Sequence, residues 1–297
     1  MPPRLVVAAV VVGWLATIGW LAHDKWLPWL RPADEPAFVV EMADEVAPEH
    51  FSWIVYRKDK RIGSAETRFA PRKDGTFEMT TRLRELELDY GSLAHVKMPV
   101  FATTRQVTRA GELIALDAKA TMQVKSFGTE IKIDATIKGH VEGDQFAGEC
   151  EYDYGGGKAT YALEPIRLVS KNAFSPLQPG QKYPPLRPGQ TWRATNIDPV
   201  NDALEGAMRQ VIARLLADAF QGKSPIALPT TKRPTELLAR VQADTETVTT
   251  RDRTYSCRVI VFEGGDLKAR VWVDVTDGRV VRQEAGGYGE TLVLQRD

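Results

Sequence analysis

The alternation of apolar and polar residues between positions 114 and 138 constrains the fold of this chain more than any other feature. Every second residue is apolar along the first segment: Ile114, Leu116, Ala118, Ala120, Met122 and Val124. The second segment repeats the pattern at Ile131, Ile133, Ala135 and Ile137. Because successive side chains of a strand point to opposite faces of a sheet, both segments predict long β-strands with one buried and one solvated face.

The same period of two continues on both sides, with turn sequences between the segments. Successive apolar runs are separated by short turn sequences of the kind that connect hairpins. These turns are Asp59-Lys60, Lys73-Asp74-Gly75 and Thr276-Asp277-Gly278. The sequence therefore predicts a mainly β fold with strand groups at 51–164 and 235–296. We expect these groups to form a curved antiparallel half-barrel, in one continuous sheet or two adjoining sheets, with one buried concave side.

A Pro-rich stretch and one amphipathic helix separate the two strand groups. Residues 165–197 form the predicted crossing, and the helix over 198–222 is capped by Asp198 and closed by Gly222. Its apolar stripe supplies the candidate binding residues Leu204, Met208, Val211, Leu215 and Phe220. The stripe needs an apolar cover, and the concave face of the sheet is favoured over a membrane surface because the polar face is not rich in Lys or Arg.

The segment at 5–22, LVVAAVVVGWLATIGWLA, contains no charged residue. As a helix it reaches roughly 27 Å, close to the ~30 Å core of a bilayer. A cleaved signal peptide is the main alternative, but Trp20 stands where cleavage after Ala22 requires a small residue. An uncleaved anchor is therefore favoured, with its amino terminus inside and the following domain extracytoplasmic, which means periplasmic in a Gram-negative cell.

These features divide the chain into three parts. Residues 1–27 are the predicted single-pass transmembrane signal-anchor, which places the protein in the cell membrane. Residues 28–49 form a tether rich in proline and acidic residues, and residues 50–297 form the extracytoplasmic β domain. Lys plus Arg and Asp plus Glu both total 39, so the chain lacks the excess of basic residues that attracts nucleic acid. We therefore predict that the protein does not bind nucleic acid.

The sequence contains no recognisable catalytic or metal-binding motif. The four histidines are scattered without ligand spacing, and neither a His-Glu-x-x-His run nor a Gly-x-Ser-x-Gly elbow occurs. Glu85, Glu87 and Asp89 alternate on one strand, a pattern typical of a solvated strand face. We therefore predict no catalytic residue, no metal site and no cofactor, while an enzyme without a recognisable motif stays an open alternative.

Cys150 and Cys257 are the two cysteines of the chain, and each lies in a predicted strand. Both share a strand face with apolar residues, so we expect both to point inward. A disulfide between them would join the two strand groups, and an extracytoplasmic compartment permits oxidation. Two buried thiols are the alternative, since nothing in the sequence shows that the two strands meet.

Two hairpin sequences resemble a known class of envelope protein. RIGSAETRF and RVWVDVTDGRVVRQE are similar to hairpins of uncharacterised bacterial envelope proteins with a lipoprotein-carrier-like half-barrel, some of which accompany transglutaminase-like domains. The resemblance implies a curved sheet with an apolar cavity for a lipid or an acylated partner. No catalytic residue of a transglutaminase is carried over, because neither cysteine lies in a matching motif.

The sequence thus predicts a membrane-anchored extracytoplasmic binding or scaffold protein. Its expected partners are the membrane, through the N-terminal helix, and a lipid, acylated or protein partner in the apolar concave face. The alternative is an extracytoplasmic hydrolase or transferase whose catalytic residues are dispersed along the chain. An apolar cavity without converging His, Cys or carboxylate groups would favour binding over catalysis.

Overall fold

The computed structural model describes residues 4–21, 36, 49–89, 95–126, 129–153, 157–163, 165–169, 173–174, 182–197, 234–251, 253–287 and 290–297. In these ranges the chain forms one helix, α1 (Arg4–Leu21), and one sixteen-stranded sheet. The strands are β1 (Glu49–Arg57), β2 (Lys60–Pro71), β3 (Phe77–Asp89), β4 (His95–Val107), β5 (Leu113–Ser126), β6 (Thr129–Glu142), β7 (Gln145–Asp153), β8 (Lys158–Ala162), β9 (Ile166–Arg167), β10 (Ala173–Phe174), β11 (Thr191–Asn196), β12 (Glu236–Thr249), β13 (Thr254–Gly264), β14 (Leu267–Asp274), β15 (Val280–Gly287) and β16 (Glu290–Arg296).

Helix α1 coincides with the apolar segment expected to be helical at 5–22. Its described side chains, at 11–21, are exposed. Over the described residues, no helix combines the length and the apolarity that a membrane crossing requires. The assignment of residues 1–27 as a transmembrane anchor stays a prediction.

The strands form one continuous sheet. The sequence had left open whether there is one sheet or two adjoining sheets. The strand order is β10-β11-β12-β13-β14-β15-β16-β1-β2-β3-β4-β5-β6-β7-β8, with β9 pairing β7 away from this path. The two strand groups meet where β1 pairs with β16, so that Trp53 lies opposite Arg296. All pairs are antiparallel except β10 with β11.

The sheet is curved, so that side chains from its two halves pack together on one inner face. One hydrophobic cluster contains Leu83 and Ile133 from the first half together with Val271 and Leu294 from the second. Register shifts accompany the curvature in four strand pairs: β1 with β2, β4 with β5, β12 with β13, and β14 with β15. Such bulges bend a strand and increase its twist, which allows a long sheet to curl.

Residues 165–169 link the two halves of the sheet across its open side. Ile166 pairs with Phe146 of β7, and the Leu168 N–H donates to the Asp144 carbonyl at 2.7 Å. The next N–H, of Val169, donates to Thr195 Oγ1 of β11 at 3.0 Å. The curved sheet is therefore barrel-like without being closed by strand pairing among the described residues.

The alternation that predicted β5 and β6 is confirmed by their burial. The described inner-face residues of these strands are buried: Leu116, Ala118, Ala120, Met122, Val124, Ile131, Ile133, Ala135 and Ile137. Ile114 is only half-buried, and Leu113 is buried instead. A register shift beside Val107 of β4 reverses the alternation at this end of β5.

The two cysteines lie on opposite faces of the sheet, and no disulfide joins them. Cys150 belongs to the inner cluster, as expected. Cys257 belongs to a second cluster on the outer face, with Val259 and Trp272, so the expectation that it points inward is wrong. Strand β13 is apolar on both faces, since Ile260 lies in the inner cluster, and its alternation cannot show which face is the inner one.

Trp272 is the largest member of this outer cluster, and its polar atom is fully bonded. Its Nε1–H donates to Glu246 Oε2 at 2.8 Å. The guanidinium carbons of Arg270 and Arg282 lie 4.5 and 5.1 Å from its ring centroid. Cation–π contacts of this kind, together with the hydrogen bond, fix the indole against the outer face.

Candidate ligand-binding site

Three threonines form a polar row on the inner face of the curved sheet. Strand pairing places Thr67 opposite Thr81, and Thr81 opposite Thr103. All three are buried, and the Thr67 and Thr81 hydroxyl oxygens lie 3.3 Å apart. Arg105, the next inward residue on β4, is also buried, with 2% of its surface exposed. Threonine and arginine are seldom fully buried, which makes this row a candidate site.

Tyr183 adds a buried phenol to these residues from a different part of the chain. It lies in the segment at 182–186, which we call the strap. Burial raises the pKa of the Tyr183 phenol well above its usual range, while the positive charge of Arg105 opposes the shift. The phenol is therefore neutral at ordinary pH, and it lies within the electrostatic reach of Arg105. We call Thr67, Thr81, Thr103, Arg105 and Tyr183 the polar patch.

The strap is held on the turn between β14 and β15. Lys182 forms an isolated antiparallel bridge with Arg279, and the Tyr183 N–H donates to the Gly278 carbonyl at 2.7 Å. Gly278 has a φ of +73°, and a Cβ at this position would overlap the Tyr183 carbonyl oxygen. Glycine is required here both by the backbone conformation and by the close approach of the strap.

A cleft of about 500 Å³ lies between the strap and this turn. One wall is the strap itself, and the other is formed by residues 273–278 together with Arg258 of β13. The cleft has the volume of a small-molecule site, at the lower part of the usual range of ~300–1,000 Å³. Pro184, Pro185 and Leu186 make the strap wall largely apolar.

The charged side chains of the cleft differ in whether other groups of the protein already bind them. Asp274 Oδ1 accepts the Thr276 N–H at 3.1 Å, and Asp277 Oδ1 accepts the Arg279 N–H at 3.0 Å. Arg258 instead donates Nη1–H to the carbonyl of residue 243 at 2.7 Å, and it has no carboxylate partner within the described part of the chain. The carboxylates are therefore used by the turn, whereas the charge of Arg258 is available to an anion.

Tyr183 connects the cleft with the polar patch. Tyr183 lines the cleft and also lies near Arg105. On the other side, the guanidinium carbons of Arg279 and Arg296 lie 5.7 and 4.6 Å from the ring centroid of Phe51. Phe51 pairs directly with Thr67 of the patch. The cleft and the patch thus form one region near the strap.

Farther from the strap, the inner face of β3 and β4 is apolar. Along β3 and β4, the Thr81–Thr103 pair is followed by the pair of Leu83 with Phe101 and then by the pair of Leu86 with Met98. These four residues are at most 1% exposed. The inner face therefore changes from polar near the strap to apolar along the same strands.

The predicted binding residues lie outside the described residues. Leu204, Met208, Val211, Leu215 and Phe220 all fall in the undescribed range 198–233, and their prediction stays untested. The histidines and carboxylates do not gather into a site: within the described ranges, no group of three or more His, Cys, Asp or Glu side chains could hold a metal ion. Glu87 is exposed and paired with Lys97 at 3.0 Å, as a solvated strand face requires.

Comparisons with known proteins assign no family to this chain. No protein-family model matches the sequence, and no curated protein matches it. Among solved structures, it is similar to the crystal structure of a beta-barrel-like protein of domain of unknown function DUF1849 from Brucella abortus, over 84% of this chain and 94% of that one. Sequence identity is 8% and the TM-score is 0.39, so the match transfers no function and no site residue.

Sequence reasoning missed the cleft and the polar patch, although one signal was present. In the β4 sequence FATTRQV, Arg105 lies two residues after Thr103 and four after Phe101, so its side chain is on the same strand face as theirs. An arginine therefore occupies the apolar face of a strand. That arrangement predicts a buried guanidinium and a polar site nearby. Tyr183 gave no comparable signal, because its position depends on the strap folding back over the turn at Gly278.

Proposed function

We propose that this protein is a membrane-anchored extracytoplasmic binding protein whose ligand is an amphiphilic anion. The ligand enters at the cleft, and its carboxylate or phosphate head lies beside the polar patch and Arg258. Its apolar chain lies against the strap and the inner face. The observation that carries the proposal is the change of the inner face from polar, next to the cleft, to apolar farther along the same strands.

The distribution of charge supports an anionic head group. Arg258 faces the cleft with a guanidinium that no described carboxylate neutralises. Arg105 is buried beside Tyr183, where a low local dielectric strengthens its attraction for an anion. A neutral head group would gain less from these two cations, because it lacks the charge–charge attraction.

The strap wall, the inner face and the hairpin resemblance support the apolar part of the proposal. The strap wall presents Pro184, Pro185 and Leu186, and the inner face of β3 and β4 beyond the patch presents apolar side chains. The resemblance of the two hairpins to lipoprotein-carrier-like half-barrels favours the same class of ligand. The N-terminal segment at 5–22 would keep the site close to a membrane, where amphiphiles are concentrated.

Titration of the full-length chain with defined amphiphiles tests this function. The protein is extracted from membranes with a non-ionic detergent, and native mass spectrometry measures occupancy by dodecanoate, dodecyl phosphate and the neutral dodecanol. The two anionic probes distinguish a carboxylate head from a phosphate head. We expect saturable one-to-one binding of at least one anion and much weaker binding of dodecanol.

Arg258→Ala should lower the affinity for the anion about tenfold, since hydrogen bonds to charged groups contribute about 1.5–3 kcal/mol and 1.4 kcal/mol corresponds to a factor of ten. Arg84→Ala is the control, because Arg84 pairs with Glu66 at 2.9 Å on the exposed outer face. Equal binding of dodecanol and the anions, or no saturable binding of any probe, would contradict the proposed function.

A further inference from the structure

Trp53 Nε1 and Thr103 Oγ1 are among the buried polar atoms of the inner face that have no hydrogen-bond partner in the described part of the chain. Trp53 is 2% exposed and Thr103 is 1% exposed, so bulk solvent does not reach either side chain. The hydroxyls of Thr67 and Thr81, in the same region, lie within hydrogen-bond distance of each other. The Thr103 hydroxyl therefore differs from the other two threonine hydroxyls of the row, which lie close to each other.

An unsatisfied buried donor destabilises a folded protein, because the group has lost its hydrogen bonds to water without replacement. A phenylalanine at position 53 or a valine at position 103 would avoid that penalty with a similar shape. Nearly all buried polar atoms in native proteins have a partner, so these two atoms point to a polar group that binds between or beside them.

Trp53 and Thr103 lie where the polar and apolar parts of the inner face meet. Strand pairing aligns Trp53, through β2 and β3, with Phe101 of β4. Thr103 is the next inward residue on β4, followed by Arg105, whose charge acts on Tyr183 at the cleft wall. Thr103 therefore lies between Arg105 and the apolar residues of β4, and Trp53 lies beside that apolar region on β1 of the same inner face.

We infer that the Trp53 Nε1–H and the Thr103 hydroxyl donate hydrogen bonds to the anionic head group of the ligand. This inference rests on the proposed function and adds the residues that recognise the head group. Both groups can donate, and a carboxylate or phosphate oxygen accepts such bonds strongly. Arg105, the next inward residue after Thr103 on β4, adds a positive potential near this hydroxyl. The apolar chain then extends from the head group along Leu83, Phe101 and their neighbours.

Trp53→Phe tests the first donor, and Trp272→Phe is its matched control. Both substitutions shorten a buried indole and remove one N–H, but the Trp272 N–H is bonded to Glu246 on the outer face. In the full-length protein, we expect Trp53→Phe to weaken binding of the preferred anion, dodecanoate or dodecyl phosphate, at least about tenfold. Trp272→Phe should keep wild-type affinity and show the larger fall in thermal midpoint.

Thr103→Val tests the second donor with almost no change of volume. Thr121→Val is its control, because the Thr121 hydroxyl donates to Asp134 Oδ1 at 2.6 Å on the outer face. Thr103→Val should weaken anion binding at least about tenfold while leaving the thermal midpoint of the ligand-free protein unchanged or raised. Thr121→Val should lower the midpoint and leave the affinity unchanged.

The outcomes separate this inference from the proposed function. If wild-type protein binds neither anion, the proposed function fails and the recognition of a head group fails with it. If wild-type protein binds an anion and both Trp53→Phe and Thr103→Val bind it equally well, the function stands and the inference is overturned. A fall in midpoint for Thr103→Val with unchanged affinity would also overturn it, because the hydroxyl would then have a structural partner.

Discussion

Gly278 is the position at which one substitution should detach the strap from the sheet. Its φ of +73° is a left-handed conformation, which costs an alanine roughly 1–2 kcal/mol. An added Cβ would also overlap the carbonyl oxygen of Tyr183, so the strap must move. That movement breaks the hydrogen bond from the Tyr183 N–H to the Gly278 carbonyl, which contributes about 0.5–1.5 kcal/mol, and it disturbs the packing of the buried phenol.

Together these effects predict that Gly278→Ala lowers the free energy of unfolding by about 3 kcal/mol or more. Gly75→Ala is the matched control, because Gly75 has a similar φ of +79° but no heavy atom within 4 Å of an added Cβ. The control should lose only the conformational part, about 1–2 kcal/mol. The difference between the two variants measures the contact between the strap and the turn.

Denaturant unfolding of both variants, followed by far-UV circular dichroism, provides the free energies. Hydrogen exchange at residues 182–186 then shows whether the strap itself is released. We expect faster exchange in this segment for Gly278→Ala and unchanged exchange for Gly75→Ala. Equal destabilisation by the two substitutions, with the strap still protected, would show that the close approach at Gly278 carries no energy and would refute the reasoning.

Two further predictions concern the inner and outer clusters. Leu83→Ala leaves a cavity in the inner cluster and should lower the free energy of unfolding by about 2–5 kcal/mol, measured by denaturant unfolding. Val100 is 49% exposed, so Val100→Ala should lower it by well under 1 kcal/mol. Equal losses would contradict the assignment of the inner face. Burial raises the pKa of Cys257 to about 12, with Asp274 and Glu246 adding to the shift, so the folded protein should resist iodoacetamide at pH 8. Because the unfolded thiol ionises near pH 9 and the folded thiol does not, this group's contribution to stability is complete below about pH 9 and falls as the pH rises toward 12. Rapid alkylation of Cys257 under native conditions would refute both statements.

The strand content was predictable because it depends on neighbouring residues. Alternation along β5 and β6 showed their inner and outer faces directly, and the Thr276-Asp277-Gly278 sequence marked a turn that the structure contains. The first hairpin turn lies at Lys58 and Asp59, which both have positive φ, one residue before the expected Asp59-Lys60. Local patterns therefore gave the elements and most of their burial, with small errors at their ends.

The cysteines show where local alternation stops being informative. Cys150 lies on a strand with one apolar face, and its inward position followed from the sequence. Cys257 lies on β13, where Val259 and Ile260 are both buried on opposite faces. Alternation identifies the inner face only when the other face is polar, so tertiary structure alone could place this thiol.

The amino-acid sequence by itself determined that the chain is mainly β, that the strands of its two main groups are antiparallel, and that one face of β5 and β6 is buried. Tertiary structure decided that β1 pairs with β16, that the sheet is continuous, and that the strap brings Tyr183 near Arg105. The physical reason is the range of the interactions involved. Side-chain alternation is a property of adjacent residues, whereas strand pairing, bulges and the strap contact at Gly278 join residues far apart in sequence, and the candidate site is made of such contacts.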